Sequence, residues 1–262
     1  MKNKDKILDE IIKSNKYNKI NEDVINRVID SEIPKYKNDK LIIKEVKNRL
    51  HQIHGIYLDV SSNKKAKLLL EENKNDEVLK LHMSTLERLG FYEEFYEKIF
   101  CVTGIPGSIL DLACGYNPFS IEYMKLNRGF NYYAYDINEE TNELINLFFD
   151  NNNYNGISKT LDLTVSVPEE NVDIAFLFKF IPLVEQQNKS FSEELLKKIK
   201  AKYIVISFPT KSVTGRNVGM IDNYKKLFSS IIQNDFVVVE EILFSNELVF
   251  IIKKNGGKCG KR

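Results

Sequence analysis

Neither of the common glycine-rich phosphate loops occurs in this 262-residue chain: there is no G-x-G-x-x-G and no G-x-x-x-x-G-K-[ST]. A pyrophosphate needs such a loop because its oxygens must sit against backbone N–H groups at a helix N-terminus, so dinucleotide and nucleoside triphosphate binding are disfavoured. Cysteine is also scarce. Cys101, Cys114 and Cys259 are scattered and odd in number, which argues against a disulfide framework and implies a reducing compartment. No apolar run approaches the length of a membrane span, and the lysine-rich start lacks the apolar core of a signal peptide. The chain is therefore expected to be soluble and cytoplasmic, with no membrane partner. Its length allows one large domain, or an α/β domain with a smaller companion.

An excess of one charge is missing overall, with 38 Lys/Arg against 37 Asp/Glu. The distribution is uneven. Residues 1–67 hold 16 basic and 10 acidic side chains, a net +6, and all of that excess falls between Lys35 and Lys67; the remaining 195 residues carry a net −5. A basic face beside an acidic body is a possible footprint for a phosphate backbone, and equally the pattern of a solvated lysine-rich helix face.

What is present starts with Ile109-Leu-Asp-Leu-Ala-Cys-Gly-Tyr-Asn-Pro-Phe119. Ile109 to Leu112 suit a buried strand, Gly115 lets the backbone turn close to a ligand, and Asn117-Pro118 reads as an N-cap followed by proline at the first helical position. Twenty-one residues after Gly115, a second short strand from Tyr132 ends in Asp136, the place for a carboxylate that accepts both ribose hydroxyls of a nucleoside. A cofactor with ribose and adenine but no phosphate fits best, namely S-adenosylmethionine. An ordinary βα turn has the same local pattern. Asp162-Leu163, at the end of a third strand, offers an acceptor for an adenine amino group and an apolar cover for the ring. Arg88 could pair with the cofactor's carboxylate, or with Glu87 or Glu93.

The first hundred residues read as helices: apolar stripes at Ile7, Leu8, Ile11 and Ile12 and at Val24, Ile25, Val28 and Ile29, a third helix over 39–54, a fourth within 64–72, and a long one over 76–100. From Ser108 strands are expected near 108–113, 131–136, 157–163, 172–178, 202–207, 235–243 and 247–253, with helices near 118–126, 138–150, 182–200 and 219–233. Five strands separated by helices call for a parallel sheet covered on both faces, and the short link at Phe244 makes the last pair an antiparallel hairpin. The fold class is thus α/β, a Rossmann-like methyltransferase fold with a mostly parallel seven-stranded sheet behind an all-α N-terminal domain. The boundaries read as 1–75 for the helical domain, 76–107 for a connecting helix contributing to the cofactor site, 108–254 for the sheet domain and 255–262 for a flexible tail.

Five collinear motifs, Leu50-His-Gln-Ile-His-Gly55, Ser84-Thr-Leu-Glu-Arg88, Asp111-Leu-Ala-Cys-Gly-Tyr-Asn-Pro118, Phe178-Lys-Phe-Ile-Pro182 with Glu185-Gln-Gln187, and Ile206-Ser-Phe-Pro-Thr-Lys-Ser212, carry a resemblance. Over about residues 5–252 the chain resembles the aminoglycoside-resistance 16S rRNA guanine-N7 methyltransferases of the Arm/Rmt type, closest to the Arm branch. His54 and Phe180 depart from the family pattern. The resemblance implies an N-terminal rRNA-binding domain and methylation of guanine 1405 in the decoding site of the assembled 30S subunit by a monomer, giving resistance to kanamycin- and gentamicin-type drugs. It also implies that His82, Met83, Ser84 and Arg88 hold the methionine end above Ala113 and Gly115, that Asp136 takes the ribose and that Asp162 and Leu163 take the adenine. Phe178 and Gln187 would close the pocket, and Lys179, Glu185 and Arg216 would engage the target nucleotide.

The chemistry of the loops points to the same target class. Exocyclic amine methylation usually uses an Asn/Asp-Pro-Pro-Tyr loop after the fourth strand, where this chain has Lys179-Phe-Ile-Pro, and C5 methylation needs a cysteine nucleophile, whereas Cys114 lies inside the cofactor loop. Guanine N7 has an in-plane lone pair and requires no general base. His51 and His54, spaced i, i+3, have no accompanying ligands and are not read as a metal site. The competing readings are a small-molecule methyltransferase with a helical lid, and an RNA-binding protein with a dead cofactor site.

Overall fold

The computed structural model describes residues 4–14, 17, 20, 22–54, 60–185, 191–210 and 219–255, the side chains of 51–54, 60 and 61 excepted. Gln187, Arg216 and the 256–262 tail fall outside the described residues, as do the side chains of His51 and His54.

Helices α1 (Lys4–Ile12), α2 (Glu22–Glu32) and α3 (Asp39–His54) bury their stripes in a core of their own, with Ile7 and Ile11 against Val24, Ile25, Val28 and Ile29 and against Ile42, Val46 and Leu50. Helix α4 (Val60–Glu71) behaves differently: Ala66 and Leu70 pack into the core on one face of the sheet. The long helix expected over 76–100 is three pieces, α5 (Asn75–Leu79), α6 (Met83–Arg88) and α7 (Tyr92–Thr103). The first break is at His82, whose backbone is extended at φ −120°, and the second at Gly90-Phe91. Thr85 stabilises the first break, its hydroxyl donating to the Leu79 carbonyl at 2.6 Å, a group that a continuous helix would have satisfied internally; it also lies 2.9 Å from the His82 carbonyl, which accepts the Leu86 N–H.

Strand β1 (Ser108–Leu112) is followed by a 3-10 turn at Asn117–Ser120 and the short α8 (Ile121–Met124); then come β2 (Asn131–Asp136), α9 (Glu139–Asn151), β3 (Gly156–Thr160), β4 (Asn171–Phe178), α10 (Ile181–Glu185), α11 (Phe191–Lys198), β5 (Lys200–Pro209), α12 (Met220–Ile232), β6 (Phe236–Leu243) and β7 (Glu247–Lys254). The sheet order is β3-β2-β1-β4-β5-β7-β6, with β7 antiparallel to both β5 and β6 and the other pairs parallel. Alternate residues of the central strands serve opposite faces. Ile109, Ile174 and Phe176 join the core under α7 and α9, while Leu110, Leu112, Ala175 and Leu177 join the one under α11 and α12. Strands apolar on both sides must be covered on both sides, and that is why Ile-Leu-Asp-Leu and Ile-Ala-Phe-Leu-Phe read as continuous runs and not as alternating ones. The order of the sheet sets the C-terminal ends of β1 and β4 side by side, at the reversal where α/β sheets bind ligands.

Candidate active site

Two non-glycine residues adopt left-handed backbone at those strand ends: Ala113 after β1 (φ +51°) and Lys179 after β4 (φ +58°). Such conformations are costly and concentrate where the chain must present groups to a ligand. Gly115 is also left-handed, at φ +50°, a conformation that only glycine adopts without strain. Its N–H donates to Asp136 Oδ2 at 2.9 Å, and Asn138 N–H donates to Oδ1 at 2.9 Å. The Asp136 carboxylate is thereby fixed at the tip of β2 with lone pairs left for hydroxyl donors. Burial raises its pKa, offset in part by those backbone donors.

Below the loop a buried polar cluster holds the turn. Asn117 was expected as an N-cap; it is instead the first residue of the 3-10 turn and a hub, donating to Asp111 Oδ2 (2.9 Å) and accepting from Tyr96 (3.1 Å) and Arg88 (3.3 Å). Asp111 also accepts from Tyr132 Oη at 2.7 Å, while its Oδ1 is buried with no hydrogen-bond partner among the described residues. Burial pushes its pKa up to about 6. An ammonium group would complete this oxygen, as a hydroxyl pair would complete Asp136, so the donor and acceptor set fits S-adenosylmethionine.

His82 lies over the loop, its ring stacked on Tyr116 at 5.3 Å and Nδ1 2.9 Å from Ser84 Oγ. Burial, reinforced by the charges of Lys179 and Arg88, pulls its pKa down to about 4, so the ring is neutral at physiological pH. The unfolded chain takes up this proton near pH 6.5, so His82 costs the folded state stability as pH falls from about 6.5 to 4 and has no effect above. Asp111 acts with the opposite sign in the same range. In His82→Gln, which keeps Asp111, the loss of stability between pH 7 and pH 4.5 is expected to be smaller than in the parent by roughly 2.5 kcal/mol, measured by urea unfolding. Equal losses would contradict a neutral buried His82.

Several of the expected site residues have partners within the chain. Arg88 is buried with its guanidinium forked onto Glu247, Nε to Oε2 at 2.8 Å and Nη2 to Oε1 at 2.5 Å, and lies 4.5 and 5.0 Å from the ring centres of Phe178 and Phe95. Glu247 takes one edge of the guanidinium, and Nη1 meets Asn117 Oδ1 at 3.3 Å, so further N–H donors of Arg88 are left over for a cofactor carboxylate. Phe178, expected to close the pocket, packs on Phe95 and Phe176 as part of this core. Glu185, expected at the target nucleotide, accepts the Ser192 N–H at 3.0 Å in the first turn of α11. Asp162 lies beyond β3, which ends at Thr160; its Oδ1 accepts from Thr164 (2.9 and 2.6 Å) and its Oδ2 meets Arg27 of α2 at 2.5 Å. Leu163 is buried with the sheet core, while Met83 is exposed.

Lys179 Nζ is 2.5 Å from Glu87 and 3.5 Å from Glu247. Asp111, Glu247 and Glu87 were not expected from the sequence as site residues, Glu87 being considered only as a partner for Arg88. For the first two the signal was there: a carboxylate inside Ile-Leu-Asp-Leu, and another opening Glu-Leu-Val-Phe-Ile-Ile, must find buried partners. Cys114 is buried, and burial raises its thiol pKa well above the usual range, so it has no nucleophilic character.

A family model described as "Ribosomal RNA methyltransferase (FmrO)" matches residues 13–251. The chain is similar to a "16S rRNA (guanine(1405)-N(7))-methyltransferase" of Serratia marcescens, 31% identical over 250 residues that cover 95% of this chain and 98% of the relative. A protein of the same name from Proteus mirabilis is 29% identical, covering 97% of this chain and all of its own length. Among solved structures, the 16S rRNA methyltransferase RmtF in complex with S-adenosyl-L-homocysteine superposes with a TM-score of 0.89 at 27% identity, over 97% of this chain and 99% of that one.

Proposed function

The chain belongs to the ribosomal RNA methyltransferase (FmrO) family, and from that membership we propose that it methylates N7 of one guanine in 16S rRNA, the guanine numbered 1405 in the names of its relatives. It uses S-adenosylmethionine, acts as a cytoplasmic monomer on the assembled 30S subunit, and confers resistance to kanamycin- and gentamicin-type aminoglycosides. The observation that carries the reading is the adjacency of two left-handed strand ends, one carrying the Ala113–Gly115 loop and the other Lys179.

When bound, S-adenosylmethionine supplies a methyl group on a positively charged sulfur. Asp136 accepts the ribose hydroxyls, Asp111 the ammonium group, and Leu163 covers the adenine beside Asp162. His82 and Ser84 frame the methionine end above Ala113 and Gly115, and Gln187 closes the site. Lys179, with Arg216, positions the guanine. N7 presents its lone pair without losing a proton, so the neutral His82 and the buried Cys114 need not act as base or nucleophile. Alignment alone can supply roughly 7–11 kcal/mol in favourable cases. A stacked base must leave its helix to enter, at a cost of a few kcal/mol.

Mass mapping or primer extension on 16S rRNA from cells expressing the protein tests the proposal. One added methyl group at the named guanine, with drug resistance, is the expected outcome; an unmodified guanine in the presence of soluble, cofactor-binding protein would refute it. The rRNA docks on the basic face of α3, where Lys40 and Lys44 are exposed, as is Lys37 just before it. Neutralising Lys37, Lys40 and Lys44 is expected to weaken binding to 30S subunits and to flatten the dependence of log affinity on log salt by roughly 0.7–0.9 for each phosphate that is no longer neutralised. An unchanged slope in filter binding would remove these lysines from the interface.

A further inference from the structure

Building on the rRNA reading, we propose that Glu87 reads the Watson–Crick edge of the target base and is the residue that makes the site choose guanine. Met83, Leu86 and Glu87 stand at i, i+3 and i+4 on α6 and so share one face of that helix. Met83 is 54% and Leu86 45% exposed, an apolar pair open to solvent beside a carboxylate.

Glu87 is also the outermost member of a four-charge cluster. Its side chain is 38% exposed against 9% for Lys179, while Arg88 and Glu247 are buried. Arg88 and Lys179 both face Glu247, so the buried part carries two positive charges and one negative, and Glu87 neutralises it from the open side. The end of α6 is held in register with the β6–β7 link, because Asn246 Nδ2 donates to the Glu87 carbonyl at 2.9 Å.

The pair Glu87–Lys179 presents an acceptor of negative charge directly beside a donor of positive charge, 2.5 Å apart. Guanine offers the complement: O6 accepts, while the neighbouring N1–H and N2–H groups donate. Adenine inverts that order, with a donor at N6 and an acceptor at N1. A carboxylate only accepts hydrogen bonds, so it rejects adenine and holds guanine. A base whose edge is taken by Glu87 and Lys179 has its face on Met83 and Leu86, and its N7 stays clear of the groups that grip it.

The test compares small subunits reconstituted with guanosine or inosine at the target position; inosine keeps N7, O6 and N1–H and lacks only the N2 amino group. The parent protein is expected to methylate the inosine subunits with kcat/KM lower by tenfold or more. Glu87→Gln is expected to bind S-adenosylmethionine normally in calorimetry, to lose tenfold or more on guanosine subunits, and to treat the two subunits nearly alike. A parent that does not distinguish them overturns the proposal without any variant, as does a Glu87→Gln protein with the parent's guanosine-to-inosine ratio. A parent that methylates neither subunit overturns the rRNA reading itself.

Discussion

Glu247→Ala is expected to destabilise the protein by about 3–5 kcal/mol, the cost typical of removing one partner from a buried ion pair. The arrangement explains the size. Glu247 is fully buried and is the shared counter-ion of Arg88 and Lys179, whose charges hold its pKa below the usual carboxylate range against burial, which alone would raise it. Arg88 has the mirror relation: burial opposes its charge, and the Glu247 carboxylate outweighs burial and raises its pKa. Alanine leaves two cations facing each other in the core without the carboxylate that they share. The thermal midpoint should fall by roughly 6–20 °C. Glu93→Ala, which removes an exposed partner of Lys125 at 3.3 Å, is the control and is expected to cost less than about 1 kcal/mol. A Glu247→Ala protein as stable as the control would show that the buried triad of Arg88, Glu247 and Lys179 is not what holds α6 to the sheet.

The second large effect concerns binding. Asp136→Ala is expected to weaken S-adenosylmethionine by about 2–4 kcal/mol, roughly 30- to 1000-fold, because the two charge-assisted hydrogen bonds proposed to the ribose would be lost. The Gly115 N–H is left without its acceptor at the same time, so the loop that turns over the cofactor is no longer tied to β2. Lys179→Ala is expected to leave cofactor affinity near that of the parent and to lower turnover on 30S subunits, as the proposed role of Lys179 at the base requires. Calorimetry with S-adenosylmethionine separates the two. Equal loss of affinity in both variants would contradict the division of labour between β2 and β4.

The sheet was legible because its central strands are buried on both faces, and a run such as Ile109 to Leu112 has no other comfortable environment. The cofactor junction was legible because Gly115 and Asp136 are chain-local signals at a fixed spacing. The break at His82 was not, since Leu79 to Arg88 keeps a helical apolar rhythm and the interruption rests on the Thr85 hydroxyl reaching back to the Leu79 carbonyl. The intramolecular partners of Arg88, Glu185 and Phe178 were not legible, for a common reason. Each side chain's partner lies elsewhere, Glu247 for the first, the Ser192 N–H for the second and Phe95 for the third, and nothing at the residue itself reports which of its possible partners folding brings near. Arg27 shows the same limit across the two cores, where a surface arginine of α2 finds Asp162 at the rim of the expected adenine pocket.

The Arg88–Glu247 pair joins residues 159 positions apart. At the usual pace of translation, about 5–20 residues per second, Arg88 waits roughly 8–30 s for its counter-ion. The wait cannot be shortened by folding the rest first, because Glu247 opens β7, and β7 fills the slot between β5 and β6. β6, made earlier, pairs among the described residues with β7 alone and has no place in the sheet until then. A nascent chain therefore carries its cofactor loop long before it can hold α6 and Lys179 in place, and the target-base half of the site is assembled last.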